Sequence, residues 1–431
     1  MHLAPRGYLL VLLSAVLAVV GVWSGEAALA RLWAVPAGLL LLGLAIEGTL
    51  VRHGRVPVRI ATAARAFLGR PQQAAFQFSN PSARALTIEY APALPGGFEP
   101  LTQTRRLRVA PGAQTADAMT VLPVRLGPQR WPELPARLRG PFALAWWSTT
   151  LQPQYQSVVA PDALRGSVRT RAMAGGARAR RIVGAGAELH QLRAYVRGDP
   201  LSRIDWKATA RTRALVTREF TEDQHLDLLV AIDAGRFSRV RSGALEHFGL
   251  YSNLTARLAE LATHHDDRIG LVVYADRVLG SCSPERGMAG VIRVRRMLEQ
   301  SAPRRAESDP TSAAVEIRRL LKHRSLVILL TDLDDANIAA QLARAVRLLA
   351  PPHLVMVGGV LSGEIAALGR GEAHSWEDPW IALAAQEHQR RAASQRAVLE
   401  RLGVPVVAAA AGQLEPALFS RYEQLRRSRR V

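Results

Sequence analysis

Two apolar runs near the start of the chain constrain everything that follows them. Tyr8–Trp23 carries no charge, and after the break Ser24-Gly25-Glu26 a second run, Ala27–Ile46, is interrupted only by Arg31. Each approaches the ~20 apolar residues a helix needs to cross a bilayer, and about 17 suffice when flanking side chains snorkel. Joined by so short a break, they read as a transmembrane helical hairpin over residues 1–50. Arg6 precedes the first run, and Arg52, His53, Arg55 and Arg59 follow the second, whereas the connection holds one Glu and one Arg. That asymmetry places both ends of the hairpin on the cytoplasmic side. The alternative is a cleaved signal peptide, since Ala28-Leu29-Ala30 fits a small-x-small cleavage site. The second run would then still anchor the rest.

The remaining chain is too long for one ordinary core, because single cores stop growing at ~250 to 300 residues. Of the 431 residues, 48% are hydrophobic and 21% charged, which excludes wholesale disorder and a polytopic transporter. The single cysteine, Cys282, excludes a disulfide scaffold and a thiolate zinc cluster. A net charge of +20 invites a nucleic-acid partner. Yet only Lys207 and Lys322 among the basic residues are lysines, and the arginines run along the whole chain instead of forming one stripe. Attraction to anionic lipid explains the charge at least as well.

Residues 56–161 show short alternating runs, among them Ala74–Phe78, Leu86–Tyr90, Arg105–Val109 and Thr120–Leu126, broken by turn clusters such as Leu94-Pro95-Gly96-Gly97. Such spacing predicts a β-sandwich-like domain with Trp131, Trp146 and Trp147 as core or sheet aromatics. Residues 162–220 follow as a linker, Arg-rich over Leu164–Gly186, and a distinctive second half. From 221 to 431 near-continuous apolar runs (Leu226–Asp233, Ile269–Tyr274, Leu326–Asp332, Leu354–Val360, Val404–Ala410) alternate with segments of helical periodicity. That pattern predicts a doubly wound α/β domain with a parallel sheet, whose ligands bind beyond the carboxyl ends of the strands.

Two of those strands end in acid at that edge, Asp233 and Asp332, with Asp334 and Asp335 just behind. Converging carboxylates there could hold Mg²⁺, with the Thr311 hydroxyl as a further ligand. They could equally cap the following helices, the commonest use of Asp in such loops.

The second half of the linker carries Leu192-Arg193-x-Tyr195-x-x-Gly198-Asp199, then Ile204-Asp205-Trp206-Lys207, Ala210-Arg211 and Arg218-Glu219-Phe220. This pattern closely resembles the signature of the bacterial "domain of unknown function 58" family, in which a von Willebrand factor A-like domain follows. The hairpin and β-rich region fit the family's layout. The resemblance implies a metal-ion-dependent adhesion site built on Asp-x-Ser-x-Ser, a Thr and a second Asp. Asp233 matches the first Asp, and Thr311 and Asp332 match the last two ligands, but Gly235 and Phe237 stand where the serines belong. The site is therefore degenerate, and loss of two hydroxyl ligands weakens it for an ion that demands near-octahedral geometry.

Arg193, Arg211 and Arg218 interleave with Asp199, Asp205 and Glu219 around Trp206, a mixture suited to charge-paired loops. Such a segment either locks the linker structurally or presents a docking surface. No Walker A loop, His-Glu-x-x-His helix or Gly-x-Ser-x-Gly elbow occurs, so the sequence offers no enzyme signature. The resemblance implies instead an adaptor of the bacterial inner membrane, facing the cytoplasm and working with a MoxR-type AAA+ ATPase in assembly or maturation of other proteins. Anionic lipid or nucleic-acid binding through the Arg-rich linker is the alternative.

Overall fold

Strand β1 (His2–Leu3) leads into helix α1 (Pro5–Ser24), where Pro5 suits the first turn because its fixed φ and missing N–H cost nothing there. Gly25, at φ 72°, ends the helix in the left-handed conformation that only glycine adopts freely. Helix α2 (Ala34–His53) follows, and α1 and α2 are both long and apolar enough to cross a membrane. Leu9, Leu12, Val19, Trp23 and Leu41 are each more than 60% exposed, a surface that water would not tolerate but lipid would. The computed structural model describes residues 1–26, 31–53, 56–100, 105–153, 155–162, 182–184, 188–222, 226–333, 336–370 and 374–427. They fall into two units, 1–162 and 163–431.

Glu47 ties the hairpin to the rest of the first unit. Its carboxylate is fully buried and accepts the backbone N–H groups of Ala143 (3.1 Å), Leu144 (3.2 Å) and Ala145 (3.3 Å). Gly140 is required beside it, since a Cβ there would lie 2.2 Å from Glu47 Cγ. From the other side of the hairpin, β1 pairs antiparallel with Trp146 and Ala145, and the Ala4 N–H donates to Leu144 O at 2.7 Å. The acid that interrupts an otherwise apolar helix is thus an acceptor for the N–H groups of one turn.

The remainder of this unit consists of β2 (Val58–Ala61), β3 (Arg65–Phe67), β4 (Gln72–Ser79), β5 (Leu86–Tyr90), β6 (Phe98–Pro100), β7 (Arg105–Val109), β8 (Gln114–Pro123), β9 (Gly127–Arg130), β10 (Leu134–Arg139), β11 (Ala145–Leu151) and β12 (Gln156–Ala160). They form sheets of order β1-β11-β10-β5-β7, β2-β4-β8-β6 and β3-β12-β9. Alternation does the sorting: Ala74, Phe76 and Phe78 on β4 and Leu86, Ile88 and Tyr90 on β5 point inward. Phe78 packs on Tyr90 (ring centroids 4.8 Å apart) and Phe76 meets Trp131 edge-on, joining the two larger sheets through aromatic contacts. Trp131 and Trp146 are buried.

The second unit opens with β13 (Ile182–Gly184), β14 (Glu188–Ala194), α3 (Trp206–Thr212) and β15 (Val216–Glu222), in a small sheet of order β13-β15-β14. Then come β16 (Asp227–Asp233), the hairpin β17 (Arg241–Ser242) and β18 (Leu245–Glu246), α4 (His247–His264), β19 (Arg268–Tyr274), β20 (Val278–Arg286), α5 (Gly287–Gln300), α6 (Pro310–Leu320), β21 (Leu326–Leu330), α7 (Ala336–Leu349), β22 (Leu354–Val360), α8 (Gly363–Leu368), α9 (Asp378–Arg401), β23 (Val406–Ala409) and α10 (Ala411–Arg427). The main sheet has order β20-β19-β16-β21-β22-β23. Its strands are parallel except β20, which pairs antiparallel with β19. The sheet is therefore mixed, where periodicity predicted a parallel one. β20 is an edge strand with only Cys282 fully buried, so it lacks the continuous apolar run that marks the others. Strand order reverses between β16 and β21, which opens a crevice at their carboxyl ends.

Removing the Glu47 carboxylate takes the acceptor from two buried N–H groups, those of Leu144 and Ala145, while the Ala143 N–H keeps Gly140 O. Glu47→Ala should destabilise the full chain in detergent by about 2 kcal/mol or more, whereas Glu47→Gln, which keeps an acceptor oxygen, should recover at least half of the loss in thermal unfolding.

Candidate functional site

Asp233 terminates β16 at the crevice, and its carboxylate is 1% exposed. Oδ1 accepts the Gly235 N–H at 2.8 Å and the Ser308 hydroxyl at 2.5 Å, and Oδ2 accepts the Thr331 hydroxyl at 2.7 Å. Burial pushes the Asp233 carboxyl above its usual range, against the lowering effect of these hydrogen bonds and with a smaller upward push from Asp332. Gly235 has no room for a side chain: a Cβ would sit 2.0 Å from Ser308 Oγ. The hydroxyl that position 235 lacks is therefore supplied from across the crevice by Ser308, and the one expected from Thr311 by Thr331.

Thr311 is placed in the first turn of α6, where its N–H donates to the Asp309 carboxylate that caps the helix. Among the described residues, no hydrogen bond joins the Thr311 hydroxyl to Asp233. Asp332, 5% exposed, lies just past β21, with its Oδ2 3.3 Å from His247 Nδ1, though the pair is not aligned for a hydrogen bond. His247 Nε2 meets Ser242 Oγ at 2.9 Å. Ser242, His247 and Asp332 thus follow the order of a hydrolase relay. The relay bond from His to Asp is not formed, however, and the cavity touching Asp332 holds about 10 Å³, room for one water. Asp334 and Asp335 lie outside the described residues.

The crevice offers a hard cation oxygen from two carboxylates and the hydroxyls of Ser308 and Thr331, with the His247 imidazole beside Asp332. It does not supply the expected serines, and no group of three or more His, Cys, Asp or Glu forms among the described residues. Asp233 already has three neutral donors, the arrangement of a buried hydrogen-bonded acid.

The signature segment forms a second feature. Arg193 on β14 holds Asp199 through two parallel bonds of 2.8 Å and also pairs with Glu219 on β15. Both acids raise the Arg193 guanidinium further above its usual value, and Arg193 in turn, followed by the Val196 N–H, holds Asp199 below the carboxylate range. Gly198 sits at φ 113°, which confines that position to glycine. Asp205 caps α3 by accepting the Lys207 (3.0 Å) and Ala208 (2.9 Å) N–H groups, and it pairs with Arg218 at 2.9 Å. The Ala208 bond and then Arg218 hold its carboxyl low. The Tyr195 N–H donates to Leu215 O, which closes the turn.

Charge pairs and caps thus do the structural work, and the apolar side chains are left outside. Trp206 is 66% exposed, Val196 61% and Leu201 69%. Lys207 and Arg211 stand exposed on the same helix as Trp206, with Arg197 and Arg213 exposed nearby. The sequence left open whether this segment locks the linker or presents a surface; the charge pairs form, and Trp206 stands outside them. Of the Arg-rich stretch 164–186, only Ile182–Gly184 lies within the described residues.

A family model described as "Protein of unknown function DUF58" matches residues 191–398. Comparison with curated proteins gives no match. Among solved structures, the chain is similar to the conserved hypothetical protein BatB from Bacteroides thetaiotaomicron, at 16% identity and TM-score 0.26, over 31% of this chain and 66% of that one. It is also similar to proximal thread matrix protein 1 from the mussel byssus, at 13% identity and TM-score 0.28, over 45% of each chain. Both likenesses span less than two thirds of the other chain.

The raised pKa of Asp233 has a definite sign. The folded chain holds this proton more tightly than the unfolded chain, so the contribution to stability is full below pH about 3.8 and is lost as pH rises through the folded pKa. Asp233→Asn should therefore melt no lower than wild type at pH 8, and the difference between them should narrow toward pH 4. Millimolar Mg²⁺ that raised the melting temperature of wild type but not of Asp233→Asn would show that an ion, and not a proton, occupies the acid.

Proposed function

We propose that this chain, of which residues 191–398 match the DUF58 family model, is a membrane-anchored protein-interaction adaptor that docks its partner on the exposed face of the signature segment. The partner we assign is a MoxR-type AAA+ ATPase, and the joint task is assembly or maturation of other proteins. The observation that carries this reading is the 66% exposure of Trp206 in a segment whose Val196 and Leu201 are exposed too and which also carries the exposed cations Arg197, Lys207, Arg211 and Arg213. An indole held outward by an N-capped helix, on a loop braced by a bidentate Arg–Asp pair, has the anatomy of an interface hot spot: rigid, aromatic and central to a polar rim. A merely structural tryptophan would be covered.

The second unit we read as von Willebrand A-like. In support stand the six-stranded order β20-β19-β16-β21-β22-β23 and an aspartate at the carboxyl end of β16. The Ser308 hydroxyl serves that aspartate in place of a serine at 235, and the Thr331 hydroxyl in place of Thr311. The cations at both ends of the helical hairpin favour a cytoplasmic signature face, where an ATPase would meet it.

Trp206→Ala should leave thermal unfolding of the full chain in detergent nearly unchanged and weaken capture of a MoxR-type ATPase from the same cell by about thirtyfold or more. Unchanged capture by the folded variant would refute the docking face. Alkaline phosphatase fused after Val431 should be inactive and a fluorescent protein there bright; the reverse pattern would put the docking face on the wrong side of the membrane.

A further inference from the structure

Helix α9 leaves most of its surface without an intramolecular role. It runs 24 residues, roughly 36 Å at 1.5 Å per residue, yet only Ala385, Ala392 and Leu399 are buried. These three recur every seventh residue, one narrow stripe against the body of the unit. On the other side stand Trp380 (68% exposed) in the first turn and Val398 in the last, with Trp376 (79%) two residues before the helix and Leu402 just past it, all large apolar groups open to solvent. Glu377 lies at the start and Arg401 at the end of the same face. Glu387 and Arg391 straddle its middle, 2.9 Å apart and both exposed.

We propose that α9 is a self-association surface on which a second copy of this chain lays its own α9 antiparallel. The pairing is dictated by sequence symmetry about the helix centre. In one register, Trp376 meets Leu402 of the second copy, Glu377 meets Arg401, Trp380 meets Val398, Ala384 meets Ser394 and Glu387 meets Arg391. Every exposed aromatic then covers an aliphatic residue, and each acid on the face meets a base. The outward positions 380, 387, 394 and 401, with 384, 391 and 398, follow the seven-residue spacing that helix pairs use as a seam. A parallel pairing would instead set Glu387 on Glu387 and Arg391 on Arg391, which like-charge repulsion disfavours. Because each copy uses the same patch, the contact is isologous and closes at two.

The area is adequate. Aromatic side chains bury about 150 to 250 Å² each, so the four tryptophans of a pair would remove on the order of 600 Å² from water. Val398, Leu402 and Leu383 add to this, approaching the ~1,200 Å² at which specific interfaces begin. Restricting both copies to one membrane would raise their effective concentration further. The surface is separate from the signature segment, so pairing through α9 and docking of a partner do not compete for the same residues.

The test is charge exchange in the full chain, purified in detergent and reconstituted in nanodiscs, with mass read by analytical ultracentrifugation and proximity by fluorescence transfer between labelled copies. Wild type should be dimeric. Glu387→Arg alone and Arg391→Glu alone should each weaken the dimer by about tenfold or more, since each places like charges across the seam twice. An equimolar mixture of the two variants should restore it, because each mixed pair again sets acid against base. Trp380→Ala should weaken the dimer without restoration by either variant. All three sites are exposed, so unchanged melting temperatures will separate loss of pairing from loss of folding. A monomeric wild type, a dimer indifferent to both charge variants, or a failure of the mixture to recover would each overturn the proposal. Loss of ATPase capture by Trp206→Ala with the dimer intact would leave it standing.

Discussion

Everything distinctive about the signature segment depends on the bidentate grip of Arg193 on Asp199. A turn of this kind, carrying Gly198 in a left-handed conformation, has little apolar area to bury and would otherwise be held by few contacts. Two parallel charge-assisted bonds fix both the distance and the plane of the loop, which a single contact cannot do. Glu219 on the neighbouring strand orients the same guanidinium, and the Asp205–Arg218 pair repeats the device where α3 begins. Since polar geometry carries the fold here, the apolar side chains are released from structural duty and can face outward. An exposed apolar surface is available for this reason.

The crevice at the switch point works by the opposite logic. Asp233 is buried so deeply that ionisation is opposed, and its environment answers with hydroxyls and one backbone N–H, none of them charged. Neutral donors satisfy a carboxyl in either protonation state, whereas a cationic side chain would force it to ionise. Gly235 and Ser308 are one arrangement, since the hydroxyl occupies the space that a side chain at 235 would need. A site that looks stripped of its ligands by position along the chain is thus refilled in space by residues about 75 and 100 positions away.

Glu47 and α9 show how the same rules govern the two ends of the molecule. An acid in an apolar helix survives because three N–H groups of one turn converge on it. Conversely, a helix that buries only two alanines and a leucine leaves Trp380 exposed, an apolar surface that a partner could cover.

The amino-acid sequence alone determined the apolar hairpin, the alternating strands of the first unit and most parallel strands of the second, because each is a local pattern of period two, period 3.6 or unbroken hydrophobicity. It also carried Arg193, Asp199, Asp205, Arg218 and Glu219 as partners, since charge pairing within thirty residues is legible along the chain. It did not carry strand β20, whose half-exposed edge position erases the apolar run. Nor did it reveal that Ser308 and Thr331, rather than Thr311, serve Asp233, or that Trp206 faces out. Those were decided by tertiary structure, because exposure and hydrogen-bond partnership are properties of a side chain's surroundings, and folding assembles those surroundings from segments that no local pattern connects.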